Sequence, residues 1–505
     1  MNMNENRTNN VKKNVFYSYV STIINAFISV ISRTIFVYTL GASYLGVSGL
    51  FSNVLGILSF SELGIGTAIN YSLYKPIAEN NAEKIKSLLH LYKTAYRVIA
   101  IIVAVFGCMM FPFLRYLVKT DIPMSEINVF YFIFLFNTVS SYFVTYKTSY
   151  VSALQKEYIV TNTVTVGTIV TNVSQIILLL LGGNYLQFLL IAAMIGLIQK
   201  IFSVVYLDKK FPILTEKQFV PLDSKTKNEI WKNVKALIVH KIGDVSVHQT
   251  DNIIISAFVS TTAVGIISNY TILNALISSF TNGFFNSFTA GFGNMIAKES
   301  KEKQRHIFDV YDLLGFWIFG FVLIAFITLS QSFVTLWLGE KLLVDDFTMI
   351  LYFVSLYLAG ITLIPYNFKV AAGRFDEDKW VAFAQAITNL IVSIVAVKWI
   401  GLPGVYVGTI VQRMIVIIVR PHIVYKYILE KKTVEYYFRL LKRTLLVAVI
   451  CYVMWQIKNV VLTEITVFRF AVMCILTGII PNVVFLLCFG KSEVFKDIIT
   501  RLIRK

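Results

Sequence analysis

The chain has 505 residues, of which 56% are hydrophobic and only 15% charged, whereas a soluble globular protein carries about 25% charged residues. Apolar runs of about 20 residues recur along the whole length, and this is the length that crosses a hydrocarbon core of about 30 Å. The composition therefore excludes a soluble protein, or one with a single anchor, and predicts an all-α polytopic membrane protein.

Fourteen transmembrane helices are predicted. The apolar runs are too long and too evenly apolar for the strands of a barrel, so helices are the remaining way to cross the lipid. Many connections are only a few residues long, which makes consecutive helices antiparallel neighbours. The spans are expected at 14–39, 46–73, 91–117, 127–146, 158–181, 185–207, 233–258, 263–292, 306–338, 347–368, 380–400, 403–428, 438–458 and 465–489.

Lysine and arginine set the orientation of these spans. The net charge of +18 could indicate nucleic-acid binding, but most basic residues fall in loops on the side of the N terminus. By the positive-inside rule, both termini are then cytoplasmic in a multi-pass protein of the cell membrane, and no nucleic acid is expected. The first apolar run is too long for a signal peptide and should remain as a span. Six basic residues fall on the opposite side: Arg115, Lys119, Lys341, Lys398, Lys458 and Arg469.

The two halves of the chain are related by a repeat. A shift of 219 residues aligns Gly46 with Gly265 and "IAENNAEK" at 77–84 with "IAKESKEK" at 296–303, without a gap. Because the offset covers six helices, both copies have the same orientation, as in transporters built from parallel repeats. The predicted organisation is an N-lobe at 1–207, a cytoplasmic loop at 208–232, a C-lobe at 233–428, and two trailing spans with a tail at 429–505.

Three basic residues lie deep inside predicted spans, namely Arg33, Lys241 and Arg413. A charge at the centre of a membrane helix costs about 2.5–3.5 kcal/mol on insertion scales and usually faces a bundle interior or a wet cavity. Three cations on different helices indicate an anionic cargo, since a cation site would concentrate carboxylates. The alternatives are that Arg33 extends to the outer rim, that Lys241 pairs with Asp244, and that Arg413 is a structural ion-pair partner.

Two further cations, Arg97 and Lys200, lie nearer the cytoplasmic ends of their spans. We expect their side chains to extend to the membrane interface, with only their aliphatic stems in the apolar region.

The segment "VHKIGDVSVHQTDNIIISAFV" at 239–259 places five ionisable residues in the seventh span. At 100° per residue they fall within an arc of about 100° and form a stripe that cannot face lipid. The stripe either lines a hydrated cavity between the lobes, where it could bind protons or Na⁺, or forms a neutralised structural network. Its members are His240, Lys241, Asp244, His248 and Asp251. Glu62, in "FSELGIG", is expected either to join this set by pairing with Arg33 or to cap an interrupted helix.

No nucleophile motif, phosphate-binding loop or metal-ligand spacing is present, and no cofactor is expected. The loops are too short for a catalytic domain. The four cysteines lie in apolar runs and are predicted to be small buried hydrophobes.

The segment "RTIFVYTLGASYLGVSGLFSNVLGILSFSELGIGTAINYSLYKPIAENNAEKIKSLLHLYKTAYR" at 33–97 resembles the opening of bacterial polysaccharide-export flippases. These are the Wzx-type translocators of the multidrug/oligosaccharidyl-lipid/polysaccharide exporter superfamily. The resemblance implies a V-shaped pair of six-helix lobes around a cationic cavity. It also implies a cargo of undecaprenyl-diphosphate-linked oligosaccharide, moved by alternating access to the outer leaflet for capsule, exopolysaccharide or O-antigen synthesis.

In that reading Arg33, Lys241 and Arg413 hold the diphosphate, and the related peptidoglycan-precursor flippases likewise place arginines in their first helices. This chain differs in carrying lysine and histidine in its seventh helix. The expected partners are the lipid-linked substrate, membrane lipids, a polysaccharide polymerase and glycosyltransferases, and we expect a monomer. Three alternatives remain: a drug/cation antiporter of the same fold, an enzyme acting on lipid-linked glycans, and a channel.

Overall fold

The computed structural model describes residues 3–59, 65–216, 220–224, 226–232, 234, 249–286, 288–374, 376–378 and 380–503. Within these ranges every regular element is a helix, which confirms the predicted all-α class. Two compact units divide the chain, Met1–Gly265 and Ile266–Lys505, and each is described by itself. The lobe boundaries expected from the sequence stay a prediction.

The first unit contains eight α-helices and a short π-helical turn, Ile255–Val259, that follows helical residues 249–254. The eight helices are α1 (Met3–Leu40), α2 (Ala42–Leu58), α3 (Ile65–Ala78), α4 (Ala82–Met110), α5 (Leu114–Leu117), α6 (Met124–Ala153), α7 (Glu157–Leu180) and α8 (Tyr185–Lys210).

The second unit contains ten α-helices, the first of which begins in the last residues of the first unit. A second π-helical turn, Val424–Ile428, ends α15. The ten helices are α9 (Thr261–Asn286), α10 (Thr289–Lys298), α11 (Lys301–Leu338), α12 (Asp346–Ile361), α13 (Leu363–Ala371), α14 (Val381–Ile400), α15 (Leu402–Ile423), α16 (Val434–Val461), α17 (Val467–Phe489) and α18 (Glu493–Ile503).

Eleven spans of the described chain are helical, long and apolar enough to cross a membrane, so the protein is a multi-pass membrane protein. They correspond to eleven of the fourteen predicted spans. The second and eighth predicted spans coincide with the helix pairs α2–α3 and α9–α10. Most of the seventh, at 235–248, lies outside the described residues.

The predicted repeat recurs in the helix boundaries. Helix α4 begins at Ala82 and α11 at Lys301, so the two starts are separated by the same 219 residues. Each start is fixed by a capping side chain at the equivalent position. The Asn81 amide oxygen accepts a hydrogen bond from the backbone N–H of Lys84 at 3.0 Å, and the Ser300 hydroxyl accepts one from that of Lys303 at 3.4 Å. Such caps satisfy N–H groups that have no partner within the helix.

Within the first unit, the first turns of α2 and α9 touch through two glycines. A Cβ atom on Gly46 would lie 1.7 Å from the carbonyl oxygen of Thr261, and one on Gly265 would lie 1.9 Å from that of Ala42. The two contacts exchange repeat-equivalent residues, as contacts about a two-fold axis do. Only residues without a Cβ permit this approach of backbone to backbone.

A hydrogen bond extends the same reciprocal contact. The hydroxyl oxygens of Ser43 and Thr262, which are also 219 residues apart, lie 2.8 Å from each other. A repeat-equivalent pair that bonds to itself must lie close to the axis that relates the copies. The sequence offset thus corresponds to a physical contact between the equivalent helix starts.

Aromatic side chains fill the cores of both units. In the first unit the buried ring of Tyr185 lies 4.7 Å from that of Phe130, and its hydroxyl bonds the Ser48 hydroxyl at 2.6 Å. In the second unit the buried rings of Phe308 and Phe368 are 5.0 Å apart. Rings supply large apolar areas with a preferred edge-to-face geometry, and their packing fixes the helices that carry the charges described next.

Candidate functional site

Of the eight predicted site residues, three belong to the described chain. They are Arg33 and Asp251 in the first unit and Arg413 in the second. The other five lie outside the described residues: Glu62, His240, Lys241, Asp244 and His248. The predicted meeting of these side chains stays a prediction.

Arg33 lies on α1, seven residues before the helix ends at Leu40, or about 10 Å along the axis. Its side chain is half-buried. The neighbouring side chains of Ser32 and Phe36 are buried, and the Phe36 ring packs 4.9 Å from that of Phe188. A half-buried guanidinium at this depth, beside a packed aromatic core, places a fixed positive charge within the apolar part of the first unit.

Asp251 is half-buried in the helical residues 249–254, and the segment that follows it is firmly anchored. The Ser256 hydroxyl donates to the carbonyl oxygen of Leu117 at 2.7 Å, and the backbone N–H of Thr261 donates to that of Lys119 at 2.8 Å. The π-helical turn lies between these anchors and Asp251. Such turns inside helices are frequent at functional sites, so the carboxylate is held on a locally unusual but well-bonded helix.

Arg413 is half-buried on α15, beside a ladder of polar side chains that joins α14 to α15. The Gln385 amide donates to that of Gln412 at 2.5 Å, and the Asn389 amide donates to the Thr409 hydroxyl at 3.2 Å. The ladder residues are buried, so α14 and α15 are held together by hydrogen bonds inside the apolar region. Because adjacent residues on a helix point about 100° apart, Arg413 projects away from the ladder.

Lys200 corrects the sequence analysis, which placed its amino group at the interface. The ammonium donates instead to the carbonyl oxygen of Asn137 at 3.0 Å and to the Ser140 hydroxyl at 2.7 Å. Lys200 and Ser140 both lie about 22–24 Å from the outer ends of their helices, so the side chain reaches sideways. The last lysine of α8, Lys210, is about 15 Å further along the axis, and that distance was the available signal.

The ammonium of Lys200 borders a small polar cavity of about 200 Å³ between α6, α7 and α8. The cavity is large enough for several water molecules. Its polar lining consists of Ser141, Thr145, Thr148, Thr163, Gln199, Lys200, Ser203 and Tyr206. The first unit therefore holds a buried cation surrounded by hydroxyl groups.

Other charges in the helices form ion pairs within each unit. In the first, the Lys147 ammonium binds both carboxylate oxygens of Asp208, at 2.5 and 2.7 Å. In the second, Arg443 lies 2.6 Å and Arg439 3.4 Å from the carboxylate of Asp312. The sequence analysis overlooked Asp312 and Arg443, although both lie inside predicted spans. These pairs neutralise each other and are structural.

The cysteines were predicted to be buried, and this was wrong for two of them. Cys451 is buried and Cys474 half-buried, whereas Cys108 and Cys488 are exposed on the helix surface. In a membrane helix an exposed apolar side chain faces lipid, so residence in an apolar run does not imply burial inside the protein.

Comparison with known proteins identifies the family and the fold. The family described as "Polysaccharide biosynthesis protein" matches residues 11–289, more than half of the chain. No curated protein sequence matches. The fold is similar to that of a solved structure of the lipid II flippase MurJ in an inward closed conformation, with a TM-score of 0.66 and 15% identity over 96% of this chain and 100% of that one.

Two multidrug transporter structures share the fold. An inward-facing MATE family transporter of the MOP superfamily gives a TM-score of 0.59 with 14% identity, covering 78% of this chain and 92% of that chain. A MATE transporter from Vibrio cholerae gives 0.54 with 12% identity, covering 84% and 99%. At such identities the likeness shows the fold alone.

The described helices and the comparisons together define a membrane transporter of the MOP superfamily fold. The chain belongs to the polysaccharide biosynthesis protein family. The resemblance to polysaccharide-export flippases drawn from residues 33–97 is thereby confirmed at the level of family and fold.

Proposed function

We propose that the protein is a flippase that moves undecaprenyl-diphosphate-linked oligosaccharide units from the inner to the outer leaflet of the bacterial cytoplasmic membrane. The observation that carries the proposal is the family match, combined with a flippase fold that covers 96% of the chain. Capsule, exopolysaccharide or O-antigen synthesis would use the exported units. Both termini would be cytoplasmic, the protein would act as a monomer, and a polymerase and glycosyltransferases would be its partners.

Arg33, Lys241 and Arg413 would hold the diphosphate of the cargo. A diphosphate loses its water on entering the membrane, and only charge-assisted hydrogen bonds from fixed cations can replace those interactions. The half-buried positions of Arg33 and Arg413 within apolar helices support this role. The glycan would occupy hydrated space, and the polyprenyl tail would stay in the surrounding lipid.

Four members of the ionisable stripe, His240, Asp244, His248 and Asp251, would reset the empty carrier by binding and releasing protons or Na⁺. Glu62 would belong to the same set. An inside-negative membrane potential assists outward movement of an anion by about 2.3 kcal/mol per charge per 100 mV. The potential alone can therefore drive the loaded step, and the stripe is needed for the return. If Asp244→Asn with Asp251→Asn leaves transport fully dependent on an imposed ion gradient, these aspartates are not the coupling site.

The test is reconstitution into liposomes with a labelled lipid-linked oligosaccharide, scored by the fraction of label accessible from outside. We expect Arg33→Gln and Arg413→Gln each to slow flipping at least about tenfold, the effect of losing one charge-assisted contact of about 1.5–3 kcal/mol. Arg115→Gln is the matched control, because Arg115 is an exposed arginine at a helix end. Unchanged flipping in both Arg33→Gln and Arg413→Gln would overturn the proposed site.

A drug/cation antiporter is the second candidate, because two MATE transporters share the fold. Such a carrier needs carboxylates that can bind a cation. The carboxylates of Asp208 and Asp312 are instead bound to basic side chains. Accumulation of a cationic dye in the same liposomes, with no flipping of the lipid-linked glycan, would favour the antiporter.

A further inference from the structure

An open groove of about 580 Å³ runs along α7 and α8 in the first unit. The stretch of α7 that lines it, from Tyr158 to Val170, spans about 18 Å along the helix axis. This length is close to half of a hydrocarbon core of about 30 Å. The groove therefore has the length of one lipid chain in a single leaflet, on the side where α7 begins and α8 ends.

The two ends of the groove differ in chemistry. The end towards the middle of the helices is apolar and is lined by Val166, Val170, Ile195, Ile198 and Phe202. The end at the helix termini is polar and is lined by Tyr158, Asn162, Tyr206 and Lys210. This amphipathic order, apolar inside and polar at the rim, is that of a lipid molecule.

The polar end carries positive charge. The Lys210 ammonium donates to the Tyr206 hydroxyl at 2.9 Å, and that of Lys13 lies 5.6 Å from the centre of the Tyr158 ring. Lys209 is exposed next to Lys210. The carboxylate of Glu157, exposed at the start of α7, offsets one of these charges. The rim keeps a net positive charge and is complementary to a phosphate.

The floor of the groove is open because residue 167 is a glycine. A Cβ atom there would lie 2.5 Å from the side-chain oxygen of Gln199. Any larger side chain at Gly167 would have to project into the groove or displace Gln199. The depth of the groove thus depends on one residue, which can be changed.

A second groove on α8 provides a comparison within the same unit. It has a volume of about 490 Å³ and lies between α6 and α8. Its lining is entirely apolar: Val129, Phe132, Ile133, Phe136, Leu190, Ala193, Met194 and Leu197. Any lipid chain can lie against such a surface, but it offers nothing to a charged headgroup.

We propose that the α7–α8 groove binds one anionic phospholipid of the leaflet in which α7 begins. One chain would lie between α7 and α8, with the phosphate between Lys13 and Lys210. Basic pockets between transmembrane helices bind anionic headgroups in this way, and each lysine near the surface contributes enough for about a fivefold change in binding. This site is independent of the cargo and of the proposed flippase activity.

The test uses a tryptophan in each groove and brominated lipids, which quench tryptophan on contact. Phe202→Trp reports on the α7–α8 groove and Phe132→Trp on the apolar groove, each as the difference from the parent chain with its six tryptophans. In membranes containing brominated phosphatidylglycerol or brominated phosphatidylcholine, we expect the anionic lipid to quench the residue 202 reporter preferentially. The residue 132 reporter should show no preference.

Lys210→Gln and Lys13→Gln should each reduce the preference at residue 202 about fivefold. Lys432→Gln, an exposed lysine of the second unit, should leave it unchanged. Gly167→Leu should reduce quenching by both lipids at residue 202. Gly478→Leu, at a helix position with open space around it, should not.

Equal quenching ratios at the two reporters, or no loss of preference in Lys210→Gln, would overturn the proposal. Displacement of brominated phosphatidylglycerol by a small excess of polyprenyl phosphate, but not by unlabelled phosphatidylglycerol, would also overturn it and assign the groove to the cargo tail.

Discussion

Replacement of Gly46 by alanine tests the reciprocal contact between the starts of α2 and α9. The added Cβ would lie 1.7 Å from the Thr261 carbonyl oxygen, whereas real Cβ contacts are not shorter than 3.0 Å. The two backbones must therefore separate by at least about 1.3 Å. No flexible side chain can absorb this shift, because the opposing atom belongs to the backbone.

The expected cost follows from two opposing effects. Overpacking of a tight contact costs about 1–3 kcal/mol, and alanine gains about 1 kcal/mol over glycine in a helix. Since the clash is between backbones, the cost should lie at the upper end of its range. We expect Gly46→Ala to destabilise the protein by about 1–2 kcal/mol, and Gly265→Ala, with its 1.9 Å clash against Ala42, by a similar amount.

The double variant is the more stringent measurement. Once one alanine has separated the helices, the second meets less resistance, and residues in contact do not behave additively. The double variant should therefore be less destabilised than the sum of the single variants by about 1 kcal/mol. Gly478→Ala is the matched control. No atom lies within 4 Å of its added Cβ, so it should be neutral or slightly stabilising.

The assay is thermal unfolding of the purified protein in detergent at a fixed heating rate, because unfolding of such proteins is often irreversible. A Gly46→Ala protein that unfolds at or above the temperature of Gly478→Ala would show that the close approach is absent. Strict additivity of Gly46→Ala and Gly265→Ala would show that the two glycines do not share one contact.

Two further predictions concern contacts of the first unit. Cysteines at Ser43 and Thr262, whose hydroxyls lie 2.8 Å apart, should form a disulfide that stops flipping until a reductant is added, if the copies must separate there during transport. A disulfide between Ser21 and Thr165, whose hydroxyls lie 2.6 Å apart within the N-terminal copy, should leave flipping unchanged, and equal effects of the two disulfides would contradict this reasoning. Lys147→Met should lower the free energy of unfolding by about 3 kcal/mol, because it leaves a partly buried carboxylate without its cation. Lys147→Met combined with Asp208→Leu should restore most of that loss in thermal unfolding, and a double variant as unstable as the single one would refute the ion-pair explanation.

The fold was predictable because its determinants are local or periodic. Apolar runs locate membrane helices without reference to the rest of the chain. The repeat offset, visible where Gly46 aligns with Gly265, recurs in the capped starts of α4 and α11. The sequence could not show that the two aligned glycines touch each other, because alignment gives equivalence and contact requires the axis that relates the copies.

The charges were harder to predict because hydropathy gives the depth of a residue but not the neighbour it faces. Lys200 was assigned to the interface from its sequence position, yet its ammonium bonds Ser140 on another helix at the same depth. Asp312 and Arg443 were overlooked because single charges are hidden in long apolar runs. Their pairing at 2.6 Å depends on the packing of α11 against α16, which no local pattern in the sequence encodes.

The distribution of ion pairs bears on the sign of the cargo. Asp208, Asp309 and Asp312 each lie within 3 Å of a basic side chain, at 2.5, 2.8 and 2.6 Å. Breaking a buried pair by removing one partner is strongly unfavourable, so these carboxylates cannot be given up to a cationic substrate without a comparable cost. An anionic cargo does not require their release, since it would compete for the cations of the site and leave the structural pairs intact. The arrangement of charge within each unit therefore favours transport of an anion over transport of a cation on this shared fold.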